Sequence, residues 1–382
     1  MRVRMRLAPK KKKKKKEEGG YTASPARGAG RGGKWGCGLR VVRRAPLVVR
    51  KGAEQEICPT DLEVGLEEIN RDWDPTGALK LGSYEEKPQL VTGGESFNRF
   101  LQDHCPVVTE TYYPTVWCWE SRGQTLLRPF ITSKPPVQYR KCVVFNNRGV
   151  AGENLLTPRT YCCANTEDLE TVIHHVHSLY PSAPFLAAGV SMGGMLLLNY
   201  LGKIGPKTPL KAAATFSVGW NTFACSESLE KPLNWLLFNY YLTTCLQSSV
   251  NKHRHMFVKQ IDMDHVMKAK SIREFDKRFT SVMFGYRTID DYYTDASPNR
   301  RLKSVGIPVL CLNSVDDVFS PSHAIPIETA KQNPNVALVL TSYGGHIGFL
   351  EGIWPRQSTY MDRVFKQFVQ AMVEHGHELS SM

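Results

Sequence analysis

The stretch Gly189-Val190-Ser191-Met192-Gly193 follows the apolar run Phe185 to Val190 and opens a helical pattern. A serine in a strand-turn-helix context between glycines is the signature of a nucleophile elbow, a turn so tight that the serine is held strained with its Oγ exposed above a sheet. On that reading the flanking glycines are required because side chains there would clash. Two further stretches lie downstream in the order such a site demands. Asp317 sits in Val315-Asp316-Asp317-Val318-Phe319-Ser320-Pro321, directly after the strand-like Val309-Leu310-Cys311-Leu312. His346 sits in Gly344-Gly345-His346-Ile347-Gly348-Phe349, directly after Val336 to Leu340. Taken singly, each residue reads equally well as an ordinary turn or helix cap. Together, each at the end of its own strand, they read as nucleophile, acid and base.

The chain order Ser, Asp, His is that of the α/β-hydrolase fold. Asp317 is preferred to Asp316 because Asp317 through Pro321 satisfies the pattern Asp, any, apolar, any, Pro, whereas His323 reads as structural at a helix start. Phe145-Asn146-Asn147-Arg148-Gly149, the elbow from Gly189 to Gly194, Asp316 to Pro321 and Gly344 to Gly352 resemble the YheT-type branch of the α/β-hydrolase domain-containing proteins. The likeness covers most of residues 87 to 382. It implies a serine esterase of the phospholipase type, acting on phosphatidylcholines with medium or oxidatively truncated acyl chains. It implies the triad Ser191, Asp317 and His346, the Met192 backbone N–H as one oxyanion donor, and an intracellular, membrane-associated protein.

The sequence departs from that pattern in two places. A Gly-rich loop after an early strand normally supplies the second oxyanion donor. Here Pro135-Pro136-Val137-Gln138-Tyr139-Arg140 runs straight into Lys141-Cys142, and no upstream apolar strand ends in Leu-Pro-Gly or His-Gly. The resemblance therefore implies that roughly sixty residues of the domain, oxyanion loop included, are absent at the 140/141 junction. An impaired enzyme with an open strand edge is expected. The second departure is at the N-terminus, where relatives of this branch carry a membrane anchor just before Lys87. No run of about 18 apolar residues is present in this chain, which leaves a cytosolic or peripheral placement as the expectation.

The net charge of +13 is concentrated in a tail. Residues 1–51 hold 18 Lys or Arg against Glu17 and Glu18, whereas the remainder is −3. Lys10 to Lys16 followed by Gly28 to Gly33 cannot bury enough apolar surface to order itself. Attraction to anionic lipid and nuclear targeting are the two sharper readings of the tail; a nucleic-acid partner has no reading motif to support it, and the sequence names no protein partner. Residues 1–86 thus read as a basic low-complexity segment, 87–140 as the family's N-terminal segment, and 141–382 as an incomplete hydrolase domain.

Ten cysteines without a C-x-x-C pair read as reduced thiols. His174, His175 and His177 lie on the solvated side of a helix whose buried face is Leu169, Val172, Ile173 and Val176, so no metal is assigned there. No cofactor is expected.

The coarse pattern gives a mostly parallel α/β sheet. Strands are expected at Cys142–Asn146, Phe185–Val190, Lys211–Val218, Pro308–Leu312 and Val336–Leu340. Helices are expected at 165–179 (capped by Asn165), 193–204, 322–332 and 354–374. A helical cap at about 220–298, with Trp235, Leu236, Leu237, Phe238, Tyr240 and Tyr241, interrupts the alternation. Acyl transfer to an alcohol by the same triad, or a non-catalytic lipid- or partner-binding variant, are the alternative readings.

Overall fold

In the computed structural model the described residues are 86–380, without 119, 132–141, 151–152 and 356–357. The 140/141 junction, the basic tail, Cys37 and Cys58 lie outside them. Five strands form one sheet in the order β1-β5-β4-β3-β2: β1 is Gln89–Val91, β2 Leu186–Val190, β3 Ala212–Phe216, β4 Val309–Ser314 and β5 Val336–Thr341. The pairs β2–β3, β3–β4 and β4–β5 are parallel, and β1 runs antiparallel to β5.

Side chains alternate across a strand, and the sheet accordingly buries two cores. Ala213, Val309, Cys311, Val336, Leu338 and Leu340 face one way, against helix residues Leu197, Leu198 and Leu201. Ala212, Ala214, Phe216, Leu310, Leu312 and Val339 face the other, against Phe97, Phe100 and Leu101 and the C-terminal helix residues Tyr360, Val364 and Phe368. Near-continuous apolar strands are what a sheet covered on both faces requires. Fully burying a Leu or Val contributes about 1.5–3 kcal/mol, so the two layers dominate stability.

The helices are α1 (Glu95–His104), α2 (Ser121–Ile131), α3 (Glu167–Leu179), α4 (Met192–Ile204) and α5 (Thr222–Glu230), followed by the cap helices. Several expectations are corrected. Cys142 to Asn146 is irregular and exposed to half-exposed, not a strand, and no strand among the described residues pairs with it. The N-cap of α3 is Thr166 rather than Asn165. The 322–332 helix is broken into a 3₁₀ turn, Ser322–Ala324, and a helix, Ile327–Gln332; Pro326 lacks the N–H that would continue the first turn. The last helix starts at Tyr360, where Thr359 and Asp362 form a reciprocal capping box.

Candidate active site

The parallel strands deliver their C-terminal ends to one edge of the sheet, and the three predicted residues meet there. Ser191 links β2 to α4 with φ 54° and ψ −122°, the strained backbone of an elbow. Its N–H donates to Phe216 O at 2.8 Å, which anchors the turn to β3. A Cβ on Gly189 would lie 2.5 Å from Gly193 O, and one on Gly194 would lie 2.8 Å from Val218 Cγ2. A Cβ on Gly193 would meet nothing within 4 Å. The expectation of a clash on both flanks therefore holds at Gly189 and fails at Gly193, where the space beside the elbow is open.

His346 Nε2 lies 2.8 Å from Ser191 Oγ, and its Nδ1 lies 3.0 and 2.9 Å from the two carboxylate oxygens of Asp317. Asp317 is almost fully buried and accepts hydrogen bonds from Phe319 N (2.7 Å) and Ser320 N (3.2 Å). Two backbone donors and the imidazole thus hold the carboxylate in one orientation. The Phe319 ring stacks on the His346 ring at 4.1 Å and 21°. Phe238 of the cap packs on Phe319 in turn, at 5.3 Å, so the cap reaches the histidine through a chain of rings. Of the cap side chains singled out in the sequence, Leu237 and Phe238 pack beside Val318 and Phe319. Leu236, Tyr240 and Tyr241 are exposed.

Asp316 faces away from the imidazole. Its Oδ1 accepts from Gly345 N at 2.9 Å, and burial pushes its carboxyl up to about 6 against the opposing pull of that hydrogen bond. It pins the loop that carries His346. This loop is strained, with Ile347 at φ 67° and Phe349 at φ 47°, and it is held by a helix whose role the sequence does not advertise. From α2, Thr125 Oγ1 accepts from His346 N (2.9 Å) and Gln124 Oε1 accepts from Leu350 N (3.1 Å). Arg128 donates to Ile347 O and Ser121 donates to Asp316 O. The helix carries no motif; only the long-range hydrogen bonds reveal it.

Met192 begins α4, in the first turn, where backbone N–H groups have no intrahelical acceptor. Its side chain is 37% exposed. Beyond β2 no strand follows among the described residues, and β2 is the edge of the sheet. The second oxyanion donor has no candidate there. A groove of about 430 Å³, lined by residues such as Asn221, Phe223, His323 and Pro326, contains none of the three residues. His323 is on its wall. The cysteines among the described residues are all free thiols. Burial pushes the Cys162 thiol up to about 11, where it packs with Tyr292 and Tyr293. His174 is exposed, beside Glu170.

A serine elbow on a parallel strand, with a buried acid and a histidine at the ends of later strands, defines an α/β-hydrolase. Phospholipase ABHD3 of Bos taurus is 80% identical over 363 residues, covering 79% of this chain and 88% of the relative. Phospholipase ABHD3 of Homo sapiens is 80% identical over 361 residues, covering 78% and 88%. The chain belongs to this family of α/β-hydrolase lipid hydrolases. A monoacylglycerol lipase of Saccharomyces cerevisiae is 28% identical over 321 residues, covering 79% of this chain and 64% of the relative. Among solved structures, an α/β-fold hydrolase from Bacillus anthracis is 17% identical and covers 59% of this chain and 78% of that one, with a TM-score of 0.37. No family model matches the chain.

The bovine match spans 363 positions, whereas 79% of the 382 residues here is about 302. About sixty positions of the relative therefore have no counterpart in this chain. No helix among the described residues is long and apolar enough to cross a membrane.

Proposed function

We propose that this chain is a serine-dependent carboxylic ester hydrolase that releases acyl chains from phosphatidylcholines, and that it works slowly. The observation that carries the reading is the continuous hydrogen-bonded line from Ser191 Oγ through His346 to the buried Asp317. His346 takes the Ser191 proton as Oγ attacks the ester carbonyl. Asp317 holds the imidazole in the tautomer with Nδ1 protonated and stabilises the charge that develops on it. The tetrahedral oxyanion is met by the Met192 N–H and by the partial positive charge at the start of α4. His346 then returns its proton to the leaving lysophospholipid oxygen. Water, activated by the same imidazole, releases the fatty acid and restores Ser191.

The phospholipid substrate is drawn from the relatives' names, and the preference for medium or oxidatively truncated chains from the family resemblance. The slowness follows from the oxyanion hole. One missing donor lowers kcat by about 10²- to 10³-fold. We place the sixty-residue gap at the 140/141 junction, where Tyr139-Arg140 runs straight into Lys141-Cys142 without the Gly-rich loop that precedes this segment in the intact domain.

The test is release of fatty acid from phosphatidylcholine vesicles by the purified chain and by Ser191→Ala. Slow release that is abolished by the substitution supports the reading, and ethyl ester formation on adding ethanol would favour acyl transfer over hydrolysis. Release that persists in Ser191→Ala contradicts it.

A further inference from the structure

The first helical run of the cap turns its apolar side chains outward. It comprises Pro232–Asn234, a π-helical turn at Trp235–Asn239 and the helix Tyr240–Asn251. Of the side chains it buries, Asn234, Asn239, Thr243 and Gln247 are polar and only Phe238 and Val250 are apolar. The outer face of its first half instead carries Leu233, Leu236, Tyr240 and Tyr241, each between 49% and 64% exposed. A helix that faces water has the reverse arrangement. The inversion is locked by its buried amides: Asn234 Nδ2 donates to Ser228 O (2.8 Å), Asn239 Nδ2 to Leu229 O (3.1 Å) and Gln247 Nε2 to Val266 O (3.1 Å). Rolling the helix to bury the leucines would break those bonds. We propose that Leu233, Leu236, Tyr240 and Tyr241 form a docking face for an anionic phospholipid bilayer.

Charge selects the occupant. Residues 231–278 hold nine Lys or Arg against four Asp or Glu, on a body that is otherwise acidic from residue 52 onward. Arg254, Arg273 and Arg278 are paired with Asp264, Asp290 and Glu274. Lys231, Lys259, Lys268, Lys270 and Lys277 are exposed and enter no ion pair among the described residues. Lys231 opens the run, and Trp235 Nε1 donates to Lys270 O at 2.9 Å, which puts a lysine beside the apolar face at each of two points. Lysines around exposed leucines and tyrosines are the make-up of a helix that lies in a membrane interface: the leucines enter the acyl boundary, the tyrosine rings sit at headgroup level, and the ammonium groups meet anionic lipid. A second copy of the chain fits less well. Four side chains fall short of the roughly 800 Å² per partner that a stable dimer buries, and two positive caps would repel each other. The place in the fold suits a bilayer as well, because Phe238 on the inner side of the same run packs on Phe319, which stacks on His346. The surface deepens the phosphatidylcholine reading and rests on it only for the substrate that such a bilayer would contain.

The experiment is flotation of the full chain with vesicles of phosphatidylcholine and phosphatidylserine, in a Ser191→Ala parent so that binding is read without turnover. At about 0.5 M NaCl charges are screened within about 4 Å, and the basic tail, common to every chain, contributes least. There Leu233→Ser/Leu236→Ser is expected to bind about tenfold or more below the parent. At about 0.05 M NaCl, Lys231→Glu/Lys270→Glu is expected to lose about tenfold or more on these vesicles and nothing on vesicles of phosphatidylcholine alone. All four side chains are exposed, and thermal unfolding checks that each variant is folded; should the leucine pair fold poorly, Tyr241→Ser reads the same face with a smaller loss. Equal binding of the parent and the leucine pair at high salt, or binding of the parent at low salt only, would overturn the proposal and leave attachment to the tail. Self-association of the parent that the leucine pair abolishes, with vesicle binding unchanged, would overturn it in favour of a second copy. Binding that follows the expected pattern, beside a chain with Ser191 intact that releases no fatty acid, would support the docking face and contradict the hydrolase reading alone.

Discussion

Cys142-Val143-Val144-Phe145 and Val309-Leu310-Cys311-Leu312 are equally apolar and equally strand-like as sequence, yet only the second is a strand. Residues 309–312 lie between β3 and β5 and are essentially inaccessible to solvent. Residues 142–145 have no partner strand among the described residues; Cys142 and Val143 are exposed and the other two half-exposed. The difference teaches that β-propensity describes a fit to neighbours, not a backbone habit. The same contrast divides the active site. The acid and histidine stand on the filled side of the sheet, whereas the nucleophile stands on β2, which has an open edge and an outward-facing Ala188.

The largest effect should come from erasing the difference. Inserting the bovine relative's additional residues between Arg140 and Lys141 is expected to raise ester turnover by about 10²- to 10³-fold and to protect the amides of residues 142–145 from hydrogen exchange. An unchanged rate with unprotected amides would show that the gap is not the cause. Next in size is a pair of truncations that reads the two segments directly. Leu310→Ala should lower stability by about 2–5 kcal/mol through its cavity, and Val143→Ala by less than about 0.5 kcal/mol; denaturant unfolding measures both, and equal losses would break the comparison.

A buried carboxyl in the cap offers a third test. Burial pushes Asp276 up to about 7, opposed by hydrogen bonds from Thr280 (2.6 Å) and Tyr293 (3.4 Å). Its folded-state pKa lies above its unfolded value, so between about pH 4 and 7 the native state holds the extra proton and stability falls as pH rises. Asp276→Asn should flatten that slope and gain stability at pH 8, on the order of a few kcal/mol, as read by urea unfolding at pH 5 and pH 8. A slope unchanged by the substitution would mean that Asp276 does not carry it. Smallest is Thr125→Val, which removes the acceptor for His346 N and should lower stability by about 1 kcal/mol while slowing Ser191 labelling more than a matched substitution on the exposed face of α2. Equal rates for the two would deny α2 a positioning role.

The elbow, acid and histidine were legible because each is carried by local chemistry: a glycine-flanked serine, a strand followed by Asp, a strand followed by a Gly-rich loop. The parallel core was legible for a similar reason, since buried strands read as short apolar runs. What could not be read was anything decided by a distant partner. The failure of the Cys142 to Phe145 strand, the antiparallel β1 and the clamp from Thr125 and Gln124 all depend on neighbours remote in the chain. Gly193 belongs with them: its place in the motif predicts a clash, and the open space beside it removes one.

The central claim is that the triad assembles even though β2 is the edge strand of the sheet among the described residues. Labelling of the purified chain with a fluorophosphonate probe, beside Ser191→Ala, tests it most directly, because the probe reports only a serine that is both exposed and activated. The account predicts slow labelling of the wild type and none of the variant. A folded chain that takes up no probe, or a variant labelled as fast as the wild type, would contradict it.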